Sequence, residues 1–250
     1  ARYQKLGINY SHSAFQVTVT TSIDSLKRNL ILELSTEAHN SEIRYTLNGE
    51  EPGRNSKIYK KPITIKETTT LKAVTFKNGE AMGKARANHY NLHKAFAADV
   101  NLQNPSHRRY DGKSNLTLVN GIEGSISHTD GNWKGFLGSD MVATIDLGKP
   151  TSIERISVDA MQNTVSWIFF PQEVIFEVST NGSEYTIIGQ EQAPEPPTAG
   201  GKILYKFSCE KQIDYIQFVS VTLKNLGTCP VGHLGEGKPA FLFTSEITVE

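Results

Sequence analysis

Between Glu42 and Phe76 the chain reads EIRYTLNGEEPGRNSKIYKKPITIKETTTLKAVTF, a pattern that leaves little choice of secondary structure. Ile43, Tyr45 and Leu47 alternate with Arg44 and Thr46, the two-residue period of a half-buried strand. Asn48-Gly49 supplies the positive backbone angles of a tight turn, and Pro52-Gly53 breaks the chain again. Ile63 and Ile65 form a short strand after Pro62. Leu71, Ala73 and Thr75 alternate with Lys72, Val74 and Phe76, and Asn78-Gly79 gives a further hairpin turn. Upstream, Phe15, Val17 and Val19 alternate, as do Leu30, Leu32 and Leu34. Short, closely spaced strands with no helical stretch between them predict a small antiparallel β-sandwich.

A length of 250 residues allows one or two domains, each large enough to bury a core. Basic and acidic side chains balance at 26 each, so charge gives no case for nucleic acid or an anionic membrane as partner. No apolar run reaches the roughly 20 residues that span a bilayer, so membrane insertion is not expected. No secretory leader is read at the start of the sequence, and a processed product opening at Ala1 is expected.

A second set of strands follows. Ala143, Ile145 and Leu147 alternate up to Gly148 and Pro150, which should end that strand; Ile153, Ile156 and Val158 come next. Glu173 to Thr180 reads as a strand, Asn181-Gly182 as its turn, and Tyr185 to Ile188 as the return. Gln190 to Gly201 holds three prolines and two glycines and reads as a loop. Ile203 to Cys209, Ile213 to Val221 and Phe241 to Val249 complete a second antiparallel sandwich or distorted barrel. The expected division is a leading segment 1–11, a first domain 12–93, a connector 94–109 and a second domain 110–250. Cys209 shares a face with Ile203, Tyr205 and Phe207 and reads as a core thiol, whereas Cys229 lies in a loop. A disulfide between them is open, since two cysteines alone carry no framework signal.

The Glu42–Phe76 stretch closely resembles the small C-terminal domain that follows the catalytic barrel in bacterial chitobiases and β-hexosaminidases. The resemblance implies an immunoglobulin/fibronectin-like fold and a spacer role for this domain. Gly7-Ile8-Asn9-Tyr10-Ser11 is similar to the segment that closes the barrel in family-20 enzymes, so residues 1–11 would be the tail of a barrel outside this sequence. The second domain resembles discoidin-type (coagulation-factor type C) domains, the jelly-roll fold of carbohydrate-binding module family 32. The carrying motifs are Leu118-Val119-Asn120-Gly121, Ile145-Asp146-Leu147-Gly148, Glu177-Val178-Ser179-Thr180-Asn181-Gly182, Asp214-Tyr215-Ile216-Gln217-Phe218 and Ser245-Glu246-Ile247. The loop Gly227 to Phe243 looks like the version found at the end of Bacteroidetes hexosaminidases. All-β architecture is thus expected throughout, in a secreted, periplasmic or cell-surface bacterial protein.

Catalytic residues are not expected. Family-20 enzymes use an adjacent Asp-Glu pair, which is absent, and Glu50-Glu51 sits in a turn. No Gly-x-Ser-x-Gly elbow, His-Glu-x-x-His helix or Cys-x-x-Cys pair occurs. Nothing nominates the two facing carboxylates that glycoside hydrolysis requires. The discoidin resemblance implies one structural calcium held by Asn120, Ser125, backbone oxygen at Ile122 and Glu246. Calcium takes six to eight oxygens, and Asn120 stands where the family usually has Asp, with Glu123 able to compensate. The other reading makes Asn120-Gly121 a turn and Glu246 a surface charge. Sugars stack their C–H faces on aromatic rings and need directional partners for their hydroxyls. Trp133, Trp167 and His233, with Asn132, Gln162, Asn163 and Lys238, lie in loops that the discoidin fold would gather at one end. The implied partners are glycans ending in galactose or N-acetylhexosamine and the catalytic barrel of a parent β-N-acetylhexosaminidase. Against this, Trp is highly buried on average: Trp167 to Phe170 could plug the barrel, and Trp133 could pin its own loop.

Overall fold

A computed structural model describes residues 13–194 and 201–250. The segment 1–11 and residues 195–200, half of the expected Gln190–Gly201 loop, lie outside the described residues; Gln190 to Gln192, expected in that loop, continue a strand instead. Among the described residues the chain is all-β apart from three short 3-10 turns, and it divides into two compact units, 1–91 and 92–250.

The first unit holds eight strands: β1 (Thr18–Asp24), β2 (Asn29–Ser35), β3 (Glu42–Thr46), β4 (Lys57–Ile58), β5 (Ile63–Ile65), β6 (Thr69–Lys77), β7 (Glu80–Ala81) and β8 (Arg86–Tyr90). One antiparallel sheet has the order β1-β2-β5; the other runs β4-β3-β6-β7, with β8 on the second edge of β6. Alternation works here as expected. Leu30, Leu32 and Leu34 from β2, Ile63 and Ile65 from β5, and Leu71, Ala73 and Thr75 from β6 are all buried. Both residues of Asn78-Gly79 have positive φ, 53° and 78°, the geometry of a two-residue hairpin between β6 and β7. The Phe15–Val19 alternation is corrected: Ser13–Phe15 is a 3-10 turn and β1 starts at Thr18.

The second unit is built on one seven-stranded antiparallel sheet that folds over on itself. Its strands are β9 (Asp99–Leu102), β10 (Lys134–Leu137), β11 (Met141–Asn163), β12 (Glu173–Ser179), β13 (Thr186–Gln192), β14 (Lys202–Leu223) and β15 (Phe241–Val249). The order is β10-β15-β11-β14-β12-β13, with β9 also on β11. Two sequence expectations change. Gly148 and Pro150 do not end a strand: β11 runs on for 23 residues and bends, with Gly148 at φ 83° and register slips against β14 between Asp146 and Arg155. The separate strands expected at 203–209 and 213–221 are likewise one strand, β14, with Tyr215 at φ 58° opposite the same bend. A bulge lets one strand serve both layers of a closed sheet without losing its partner. The first part of β11 therefore pairs with β9, and its second part with β15.

The expected connector 94–109 is also corrected. Ala95 and Ala98 are buried in the main core, and Asp99–Leu102 adds a strand beside Ala143–Asp146. Small apolar residues without alternation pack there against Leu118 and Val119 in the same core, so the unit begins at Leu92. Cys209 and Cys229 are both free thiols. Cys209 packs at the edge of the core, as its face predicted, with Sγ directed at the Ile188 carbonyl.

Candidate functional site

Four of the residues singled out by sequence meet at one end of the second unit. Gln162 and Asn163 close β11, and a 3-10 turn (Thr164–Ser166) leads to Trp167. The loop Pro230 to Gly237 lies alongside. His233 ties the two: its Nε2 donates to the Thr164 carbonyl at 2.9 Å, and its Nδ1 accepts from Gly235 N–H at 3.0 Å. The ring of Trp167 meets that of His233 edge-on, 6.3 Å between centroids. Gly235 lies under the indole, where an added Cβ would come within 2.8 Å of the ring. One side of the indole is thereby covered, yet Trp167 keeps 36% of its surface in solvent. Its backbone is left-handed, φ 63°, a conformation that costs a bulky L-residue about 1–2 kcal/mol. Strain of this kind is tolerated where the surrounding structure enforces it and clusters at functional sites.

Beside His233 opens a cavity of about 630 Å³, lined by Gln162, Thr164, Phe169, Phe170, Leu226 and His233 among others. That volume is typical of small-molecule sites, and an apolar wall with few polar groups is their usual composition. Gln162 is 6% exposed and reaches the cavity, and its carboxamide has no hydrogen-bond partner among the described residues. Asn163, by contrast, donates its amide to Ser166 and stays with its turn. Val165, Val231 and Leu234 stand on the neighbouring loop tips at 85–102% exposure. This apolar rim was not anticipated, because single apolar residues in glycine-rich loops carry no periodicity.

Trp133 is not part of this end. It is 2% exposed and packs with Met161, Ile168 and Phe243. Its indole N–H donates to the Ser125 carbonyl at 2.9 Å, and its face lies so close on Gly124 that a Cβ there would sit 2.2 Å away. A ring covered on both sides cannot stack on a sugar, so Trp133 is reassigned to the core. Asn132 belongs to the same turn, its N–H donating to Asp130. Lys238 is exposed, and its backbone holds the late loop closed through Cys229 and Gly235.

The residues expected to hold calcium do come together, but in another role. Glu246, 1% exposed, accepts from Gly121 N–H at 2.8 Å and Asn120 N–H at 3.2 Å. His93 Nε2 lies 2.7 Å from the same carboxylate and donates to it, while His93 Nδ1 accepts from Ala95 N–H. Burial holds the His93 imidazole down to about 4, so the ring is neutral and donates from Nε2. Asn120 Oδ1 accepts from Ile122 N–H, and Ser125 N–H donates to Asp130. Glu123 turns outward to Lys206 at 2.6 Å. The Glu246 carboxylate and the Asn120 amide oxygen thus already face N–H donors. A calcium ion, which takes six to eight oxygens, would have to share or displace those donors, and the two side chains as placed here serve the turn instead.

Glu123, Lys206 and Asp159 form a third cluster, which the sequence did not suggest. Asp159 lies opposite Lys206 in the β11–β14 ladder, with Oδ1 3.5 Å from the ammonium; its Oδ2 is buried without a partner. Burial pushes its carboxyl up to about 7; Glu123 and Glu246 add to the rise and Lys206 opposes it. Because the folded state holds this proton more tightly than the unfolded chain, the linked stability is complete below about pH 4 and is lost as pH rises through about 7. Asp159→Asn is therefore expected to raise stability at pH 8 by about 1–4 kcal/mol while changing little at pH 4. Urea unfolding at the two pH values checks this.

Comparison with known proteins locates the first unit. Residues 25–86 match the family model described as Chitobiase/beta-hexosaminidase C-terminal domain. No curated protein matches the chain. Among solved structures, the crystal structure of SpGH29 aligns at 14% identity and a TM-score of 0.37, covering 63% of this chain and 27% of that one. This chain therefore spans about a quarter of that protein's length. CpGH89CBM32-4, produced by Clostridium perfringens and solved in complex with glcNAc-alpha-1,4-galactose, aligns at 12% identity over 63% of this chain and 92% of that chain, TM-score 0.39. The lectin binding domain of Lectinolysin, a His 62 mutant complexed with Lewis b, aligns at 11% identity over 63% and 94%, TM-score 0.41.

Proposed function

We propose that this chain is the non-catalytic accessory region of a secreted bacterial β-N-acetylhexosaminidase, with a spacer unit followed by a discoidin-type unit that binds glycans. The observation that carries the reading is the cavity at the loop end of the second unit. Its lining residue His233 meets the ring of Trp167, a partly exposed side chain on a left-handed backbone, and Gln162 on the same lining makes no side-chain hydrogen bond among the described residues. The match of residues 25–86 to a domain named for chitobiases and hexosaminidases supports the parent assignment. Binding to such a site would be weak and would act by keeping a tethered catalytic barrel near its substrate, which raises local concentration without any new contact. Terminal galactose and N-acetylhexosamine are the glycan ends to be tested.

A glycan array probed with the 250-residue chain should show retention on such glycans, with Trp167→Ala lowering affinity about tenfold or more through loss of the stacking face. Because only part of that ring is buried, the variant should keep its fold. A second reading is favoured by the exposed Val165, Val231 and Leu234: this end packs against the catalytic barrel or a partner subunit and binds no sugar. Absence of all glycan retention by a folded chain would select that reading and discard the first.

A further inference from the structure

The loop-end cavity is poor in polar groups, and those it has are unequal. A hexose ring offers several hydroxyls, each of which weakens binding if buried without a partner. His233 cannot serve them: its Nε2 is committed to the Thr164 carbonyl and its Nδ1 to Gly235 N–H. The Thr164 carbonyl accepts from His233 and from Trp167 N–H as well. Asn163 is committed to Ser166. What remains are the hydroxyl of the half-buried Thr164 and the carboxamide of Gln162, a residue 6% exposed whose side chain makes no hydrogen bond among the described residues, with Phe169, Phe170, Pro171 and Leu226 on the walls. Gln172, on the same lining, is exposed and sits toward solvent.

One amide and one hydroxyl in an otherwise apolar lining are a poor complement to a run of hydroxyls, and the amide is a good complement to another amide. An acetamido group presents one N–H, one carbonyl and a methyl. The carboxamide of Gln162 can accept from that N–H and donate to that carbonyl, while the methyl meets aromatic and proline carbon. The sugar ring would remain outside, against the open part of Trp167, with its hydroxyls in water. We infer that the cavity selects glycans by their N-acetyl group, with Gln162 as the residue that reads it, and that galactose and other sugars lacking an acetamido group are not its ligands. This rests on the glycan-binding reading above and narrows it to N-acetylated hexosamines.

Titration of the isotope-labelled chain with N-acetylglucosamine, N-acetylgalactosamine, glucosamine, glucose and galactose, followed by amide and indole NMR shifts, tests the inference. The N-acetylated sugars should shift Trp167 and Gln162 signals, with the other three at least about tenfold weaker. Gln162→Met keeps the volume and removes the donor and acceptor; it should bring the N-acetylated sugars down to the level of glucose without disturbing the remaining spectrum. Gln162→Asn, which keeps the amide on a shorter arm, provides a second folded variant and should retain part of the selectivity. Equal binding of galactose and N-acetylgalactosamine at these signals would overturn the acetamido assignment and leave glycan binding standing. No shift with any sugar would overturn both.

Discussion

Replacing Trp133 by alanine is expected to remove about 3–5 kcal/mol from the stability of the second unit and to leave sugar affinity unchanged in whatever fraction remains folded. The side chain is among the largest fully buried in the protein. It joins Met161 on β11, Ile168 on the loop after it and Phe243 on β15 in one cluster. Truncation would leave a cavity that the rigid sheet on either side cannot close, and it would also orphan the Ser125 carbonyl that now accepts the indole N–H. Gly124→Ala approaches the same contact from the other side, because its methyl would overlap the indole. Overpacking of this kind costs about 1–3 kcal/mol. Urea unfolding of the two variants, monitored by far-ultraviolet circular dichroism, is the measurement. A loss of less than about 1 kcal/mol for Trp133→Ala would mean that the ring is not a core element and would return it to the list of ligand contacts.

The contrast between the two tryptophans shows where sequence ceases to inform. Trp133 sits among short polar and glycine residues and Trp167 ahead of an apolar run, and the sequence offers both as ligand contacts and both as core. Only distant partners separate them: Gly124 and Phe243 close over Trp133, whereas Gly235 covers one side of Trp167 and leaves the rest open. Elements whose signal is local were legible. Leu30, Leu32 and Leu34 alternate because one face of β2 is buried, and Asn78-Gly79 turns because both residues tolerate positive φ. Elements that depend on pairing remote in sequence were not. Gly148 and Pro150 look like a strand end, but β14 continues to pair across the bend and carries β11 through it. Ala95 and Ala98 show no periodicity and are buried only because the core around Leu118 and Val119 has room for small side chains. The loop-end residues Gln162, Trp167 and His233 were named together from the sequence, since loops at one end of a barrel converge; that His233 is spent on the Thr164 carbonyl and Gly235, and that Gln162 is not, is a matter of geometry.

Glu246→Ala should cost about 3–5 kcal/mol, since it leaves three buried N–H donors, on Asn120, Gly121 and His93, without an acceptor at about 1–3 kcal/mol each. Glu246 is the point where the start and the end of the second unit are joined. Its carboxylate receives the backbone N–H groups of Asn120 and Gly121 and the imidazole of His93, which in turn receives N–H groups from Ala95 and Val249. All of these groups are shielded from water, so none can exchange its lost partner for solvent. Glu246→Gln should cost less than the alanine variant yet remain destabilising, because an amide nitrogen would then face one of the N–H donors. His93→Phe, which keeps ring volume and removes both nitrogens, should fall in the same range as the glutamine variant. The same network decides the response to calcium. With its oxygens committed to N–H donors, the turn from Asn120 to Ser125 should show no rise in melting temperature on addition of millimolar calcium and no fall on chelation. A calcium-dependent rise that disappears in Glu246→Ala would mean that the carboxylate exchanges these donors for a cation, and it would restore the metal site that the discoidin resemblance implies.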